Sequence, residues 1–229
     1  MPKPQPDAIK RLDIDEVSIM LEAVETGEGL TEKEIIYWQK TKLRDKAILA
    51  LFVTYGLRLN ELRELNLSSF NFSRGEFKIY RKRGKEVLMP INKTCEYVVK
   101  DYINNERPLN ENLSEDVKDA LFLSLQKKRL TSKAIRQLVK KYTSICMNTS
   151  RDKGYSPHKL RATAATSLIQ SGFSIYDVKT LLDHDNVTTT QLYAAHKKNI
   201  KRDIVNNFEW IDDEEMKDNS IESDYDENI

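Results

Sequence analysis

Phe77-Lys78-Ile79-Tyr80-Arg81-Lys82-Arg83-Gly84-Lys85-Glu86-Val87-Leu88-Met89-Pro90-Ile91 breaks the rhythm of the chain. Residues 77–80 and 87–91 read as two short strands joined by a basic hairpin tip. Pro90 lacks an N–H, which argues for an edge position. Outward from this hairpin the period turns helical. Residues 93–105 carry Val98, Val99, Tyr102 and Ile103 on a helix, and residues 106–118 read as a polar loop. A further helix over about 131–148 carries Ile135, Leu138, Val139, Tyr142 and Ile145. Arg151 to Gly154 form a loop, and Pro157 suits the first turn of a helix reaching Gln170, with Gly172 ending it. Residues 174–182, 188–193 and 199–209 read as three more helical segments.

On the N-terminal side, Asp13 or Asp15 caps a first helix with Ile14, Val17, Leu21 and Val24 on one face. Thr31 and Glu34 have capping-box spacing for a short second helix. Ala47 to Val53 is almost wholly apolar, which makes that helix central and buried. Gly56 interrupts it, and Leu59 to Leu65 resumes helically. The expectation is a mainly α (α+β) domain with one small antiparallel sheet. Strands do not alternate with helices and no glycine-rich phosphate loop occurs, so a doubly wound nucleotide-binding fold is excluded.

The 229 residues are 39% hydrophobic and 32% charged, a composition of soluble globular domains. No apolar run approaches the ~18 residues of a membrane span. The opening Met1-Pro2-Lys3-Pro4-Gln5-Pro6 is no secretory signal, and residues 1–11 read as a linker. Two cysteines, Cys95 and Cys146, suggest neither a disulfide framework nor a cysteine-based zinc site. The net charge of +1 hides an asymmetry. Residues 211–229 hold nine acids against Lys217, a charge of −8, leaving +9 on residues 1–210. A basic body with an acidic, disordered tail suits a phosphate binder, though a merely solubilising tail reads the same way.

The chain has three histidines, and two fall at informative places. His158 and Arg161 stand one turn apart on a helix face. His184 follows Leu181-Leu182-Asp183, and Tyr193 comes nine residues later. Arg58 follows the buried helix in Tyr55-Gly56-Leu57-Arg58, and Lys82 sits at the hairpin tip.

These residue types suit attack on a phosphodiester, which is already negative and has a poor leaving group. Arg58 and Arg161 offer planar guanidinium groups that grip phosphate through paired hydrogen bonds and stabilise developing charge. Tyr193 offers a nucleophile for a covalent phosphotyrosyl intermediate. Lys82 offers an acid for the leaving 5′ oxygen, and His158 and His184 can donate to phosphate or manage the phenolic proton. Each has an ordinary alternative. The arginines could be surface ion pairs, His158 a helix-start residue and His184 a capping one. Lys82 could be a plain phosphate contact, and Tyr176 is the nearest rival to Tyr193.

Four boxes resemble the tyrosine recombinase/integrase family, especially its Xer-like members. Gly56-Leu57-Arg58-Leu59-Asn60-Glu61-Leu62 is similar to the family's Gly-Leu-Arg-x-Ser-Glu-Leu. The hairpin from Arg81 to Ile91 matches Gly-Lys-Gly-x-Lys-Glu-x-x-x-Pro-Leu without a gap. Pro157-His158-Lys159-Leu160-Arg161-Ala162-Thr163 resembles Pro-His-x-Leu-Arg-His-Thr, and Leu181-Leu182-Asp183-His184 with Thr188, Thr189 and Tyr193 resembles the last box. Ala162 replaces a histidine, Asp183 a glycine, Asn60 a serine, and Arg81 and Arg83 replace glycines.

The resemblance covers about residues 12–208 and implies a catalytic domain over 12–210. It implies site-specific DNA strand exchange through a 3′-phosphotyrosyl intermediate, with no cofactor or metal. The implied catalytic set is Arg58, Lys82, His158, Arg161, His184 and Tyr193, with Glu61 accessory. The stiffer, more basic hairpin keeps Lys85 open as an alternative to Lys82. Arg81, Arg83, Lys85 and Lys159 are expected to touch DNA. The expected partners are a double-stranded DNA site, further copies of the chain in a tetramer docked through residues 199–209, and possible accessory proteins. The family usually adds an N-terminal domain that completes the clamp, and this chain starts where that domain would end. A cytoplasmic, nucleoid-associated setting of bacterial or phage origin follows. The rivals are a type IB topoisomerase, which needs no synapsis, and a catalytically silent DNA-binding regulator. Metal-dependent nucleases fit poorly, because no clustered ligand set accompanies the basic boxes.

Overall fold

A computed structural model of the chain describes residues 10–81 and 84–182. Helix α3 (Lys42–Tyr55) is its axis: Ala47, Ile48, Leu49, Leu51 and Phe52 have no exposed surface. Apolar residues surround this helix, so it buries itself on several sides rather than along one stripe. It packs on α1 (Ile14–Thr26), α5 (Lys93–Asn105) and α7 (Pro157–Gln170). Helix α6 (Ser132–Cys146) lies on α1 and on the short α4 (Leu59–Arg63), and α8 (Ile175–Leu182) lies on α7.

Local chemistry explains most boundaries. At α2 (Glu32–Trp38), the Thr31 hydroxyl accepts from the Glu34 N–H, and Glu34 returns a bond to the Thr31 N–H at 2.9 Å. This is the reciprocal cap that the spacing predicts. Asp13 precedes α1, and its N–H donates to Glu16 at 2.8 Å. Gly27, in the left-handed region at φ 82°, ends that helix. Pro157 stands in the first turn of α7, where its missing N–H costs nothing.

The buried face of α1 differs from the one expected. Met20, Ala23 and Val24 are buried, Val17 and Leu21 are partly so, and Ile14 is 56% exposed. Ile14 is the first helical residue, and the buried residues of α1 lie in its second half.

The sheet is an antiparallel meander, β1 (Phe70–Asn71), β2 (Glu76–Tyr80) and β3 (Glu86–Pro90), in that order. Phe70 pairs with Phe77, and β2 pairs with β3 from Glu76↔Pro90 to Tyr80↔Glu86. Pro90 therefore sits on an edge strand, as expected. The two-residue β1 is an addition to the sequence reading. Phe77 and Ile79 point into the core, where the Phe77 ring meets Tyr55 edge-on at 4.9 Å. This contact seats the hairpin against the end of α3.

The segment 106–118 is more ordered than a polar loop suggests, with short 3₁₀ turns at Asn110–Asn112 and Glu115–Val117. Arg107, 7% exposed, donates to the carbonyls of Lys118 at 2.6 Å and Ala120 at 2.9 Å. A buried guanidinium thus satisfies loop carbonyls that would otherwise need water. Among the described residues, no helix is long and apolar enough to cross a membrane.

Candidate active site

Arg58 ends the loop after α3 and begins α4. Glu61, on the first turn of α4, accepts both the Arg58 N–H and its Nη1–H at 2.8 Å. The Glu61 side chain is 4% exposed and that of Arg58 is 30% exposed. The carboxylate is thus a buried bracket, and the guanidinium it holds reaches toward solvent.

Arg161 sits deeper, at 6% exposed. Its Nη1 donates to the Gly56 carbonyl at 2.5 Å, and its Nη2 donates to the Leu182 carbonyl. Gly56 has φ +57°, and a Cβ there would lie 2.7 Å from Leu182 Cδ2 and 3.5 Å from Arg161 Cγ. The left-handed φ and the close approach of Leu182 both favour glycine here.

Arg58, Arg161 and His158 line one cleft of about 260 Å³. His158 is exposed at the start of α7, one turn before Arg161. Arg136 lines the same cleft, from the exposed side of α6 where that helix meets α4. Sequence reasoning missed Arg136, because it lies in no motif and reaches the site only through helix packing. A second cleft, of about 490 Å³, adjoins the first through Arg58 and Arg136 and includes Tyr80 and Arg81. A concave surface holding several guanidinium groups and an imidazole is suited to an anionic backbone.

The basic residues expected at the DNA divide. Lys85 is exposed and lines a third cleft with Leu88, Tyr176 and Lys179. Lys159 is half-buried and lines none of these clefts. Arg81 turns inward: it is 8% exposed, and its Nη2 donates to the Leu181 carbonyl at 2.6 Å. The Leu181 carbonyl of α8 holds the guanidinium away from solvent. Lys82, Arg83, His184 and Tyr193 lie outside the described residues, as do segment 199–209 and the tail 211–229. Among the described residues, no group of three or more His, Cys, Asp or Glu is placed to hold a metal ion.

The tyrosines differ in what burial allows. Burial pushes the Tyr55 and Tyr102 phenols up to about 12, and that of Tyr142 upward as well. Tyr176 is 68% exposed but faces the third cleft, not the one holding Arg58 and Arg161.

A mainly helical domain with a small meander thus gathers arginines and a histidine in one cleft, an arrangement suited to a phosphate group. The profile of the Phage integrase family matches residues 10–199, and the chain belongs to that family. Tyrosine recombinase XerC of Natranaerobius thermophilus is 39% identical over 154 residues, which is 66% of this chain and 50% of the relative. Tyrosine recombinase XerD of Staphylococcus haemolyticus is 32% identical over 197 residues, 86% of this chain and 61% of the relative. The chain thus spans about half to three fifths of the length of these curated relatives. Among solved structures, XerA recombinase superposes with a TM-score of 0.67 at 23% identity, covering 90% of this chain and 66% of that one. XerH recombinase in a post-cleavage complex with a palindromic difH substrate gives 0.69 at 20% identity, covering 87% and 53%. These structures share the fold.

Proposed function

We propose that this chain is the catalytic domain of a tyrosine site-specific recombinase acting on double-stranded DNA. The observation that carries this reading is the shared cleft of Arg58, Arg161 and His158 in a chain of this family. Guanidinium groups from two separate elements flank one space, as a single phosphate in a transition state requires. Glu61 holds Arg58 in place, so its charge is delivered with little reorganisation.

In the proposed reaction the Tyr193 oxygen attacks the scissile phosphorus and loses its proton, with His158 or His184 managing that proton. The bond from phosphorus to the 5′ oxygen breaks, and Lys82 protonates that oxygen. The product is a 3′-phosphotyrosyl link with a free 5′ hydroxyl. Attack by a 5′ hydroxyl from a partner strand reverses the chemistry and rejoins DNA. Bond energy stays in the protein–DNA link, so no nucleotide cofactor is consumed. Arg136 lines the same cleft and Lys85 an exposed neighbouring surface of the hairpin, and both supply backbone contacts. Strand exchange needs several copies on DNA, and the apolar stripe Ile200, Ile204, Val205 and Phe208 is proposed to dock them. The similarity to bacterial recombinases supports a cytoplasmic setting with bacterial or phage DNA.

The test is covalent trapping. The protein is mixed with a pool of duplex DNA, denatured, and DNA linked to protein is recovered and sequenced. Wild type is expected to yield a defined site, and Tyr193→Phe none, while Tyr193→Phe keeps duplex affinity within about threefold. An adduct formed by Tyr193→Phe overturns the nucleophile, and no adduct from wild type overturns the function.

A further inference from the structure

The inward turn of Arg81 has a use for this reaction, on the reading given above. Its backbone N–H continues the ladder, donating to the Lys85 carbonyl at 2.8 Å, and its carbonyl accepts from Gly84 at 3.1 Å. Its side chain leaves the sheet and reaches the Leu181 carbonyl at 2.6 Å, a contact across 100 positions of sequence. Met89 Sδ lies 4.0 Å from the same nitrogen and fills the space beneath it. Arg161 takes the neighbouring Leu182 carbonyl. Two successive carbonyls of α8 therefore accept from two cations, one on α7 and one on the hairpin.

Arg81 occupies a position where the family's box carries glycine, so this tie belongs to this chain. Glycine there would leave the hairpin joined to α8 by no such bond. With arginine, the residue immediately before Lys82 is fixed at backbone and side chain alike.

We propose that Arg81 is a positioning residue, locking the hairpin to the end of α8 so that Lys82 delivers its proton to the leaving 5′ oxygen. It acts through Lys82 and does not itself bind DNA. An 8% exposed arginine engaged with the Leu181 carbonyl releases few counterions from a phosphate.

The experiment uses the full chain and a duplex of the site recovered by trapping, made in two forms. One carries the ordinary 5′ oxygen, and the other carries sulfur in its place. A thiolate leaves without a proton, so the sulfur form bypasses the acid. Arg81→Ala is expected to slow adduct formation on ordinary DNA by about tenfold or more, and to approach the wild-type rate on the sulfur form, as Lys82→Ala does. Arg81→Gln, which keeps N–H donors, should show a smaller defect with the same rescue and serves if Arg81→Ala does not fold. The slope of affinity against salt should stay unchanged, whereas a lost phosphate contact lowers it by about 1.

A merely structural role would slow both substrates alike. If sulfur rescues Lys82→Ala and not Arg81→Ala, or if the salt slope falls, this proposal alone fails. If sulfur does not rescue Lys82→Ala, the acid assignment fails and takes the proposal with it. If wild type forms no adduct, the function itself is wrong.

Discussion

Arg161 has two tasks, and they pull on the same atoms. Its guanidinium bonds the carbonyls of Gly56 and Leu182, at the ends of α3 and α8, while it lines the proposed phosphate cleft. Removing it strands two carbonyls in a buried site, a cost of about 1–3 kcal/mol. Arg161→Ala is therefore expected to lower the urea midpoint as well as to lose adduct formation. Arg161→Lys should recover part of the stability and little of the rate, because an ammonium cannot copy the planar fork. Equal midpoints for wild type and Arg161→Ala would show that these carbonyl bonds add nothing to stability. The position of Arg161 was legible from its motif, and its second task was not. The carbonyls it binds lie 105 and 21 residues away, beyond the reach of any local pattern.

Helix α2 offers a test that is independent of DNA. Glu34 caps its own helix and also accepts from Arg151, whose Nε and Nη2 reach it at 3.0 and 2.9 Å. The Arg151 hydrogen bond is the largest influence and lowers the carboxyl to about 2, against the opposing effect of burial. A depressed folded value means the stabilisation is complete above the usual carboxylate range, near 4.5, and is lost as pH falls toward 2. Urea midpoints measured from pH 7 down to pH 2 should show Glu34→Gln less stable than wild type at pH 7, with the gap closing at the acid end. A constant gap would mean that the pair does not titrate as described.

The same scale shows what the sequence discloses. Periodicity and caps are local, so α5 falls over residues 93–105 and α7 begins at Pro157 as read. The strand β1 is two residues long and leaves no period to detect. The sequence marks Arg81 as a DNA contact and Arg161 as catalytic, and attaches no role to Arg107 or Arg129. In the folded chain they donate to distant backbone carbonyls, Arg129 to that of Arg63 at 2.9 Å. A long flexible side chain can choose its partner only after the fold has formed, and composition does not record that choice.

At the scale of the whole chain, charge and core organisation matter most. Deleting residues 211–229 raises the net charge from +1 to +9. The shortened chain is expected to bind non-specific duplex more tightly at low salt, with the advantage vanishing as salt rises. Equal binding at low salt would make the tail a bystander. The described core is itself divided. The large cluster runs through α1, α3, α5 and α6, whereas Ala162, Ala165, Ile169, Val178 and Leu182 form a separate small one between α7 and α8. Among the described residues, this small cluster and the bonds from Arg81 and Arg161 retain α8. Its amide protons should exchange with deuterium well before those of α3, by opening that leaves the large cluster intact. Mass spectrometry on peptides covering 175–182 and 42–55 can read this directly, and equal protection of both would contradict it. Two clusters rather than one give the described fold a local mode of opening that spares the helices around α3.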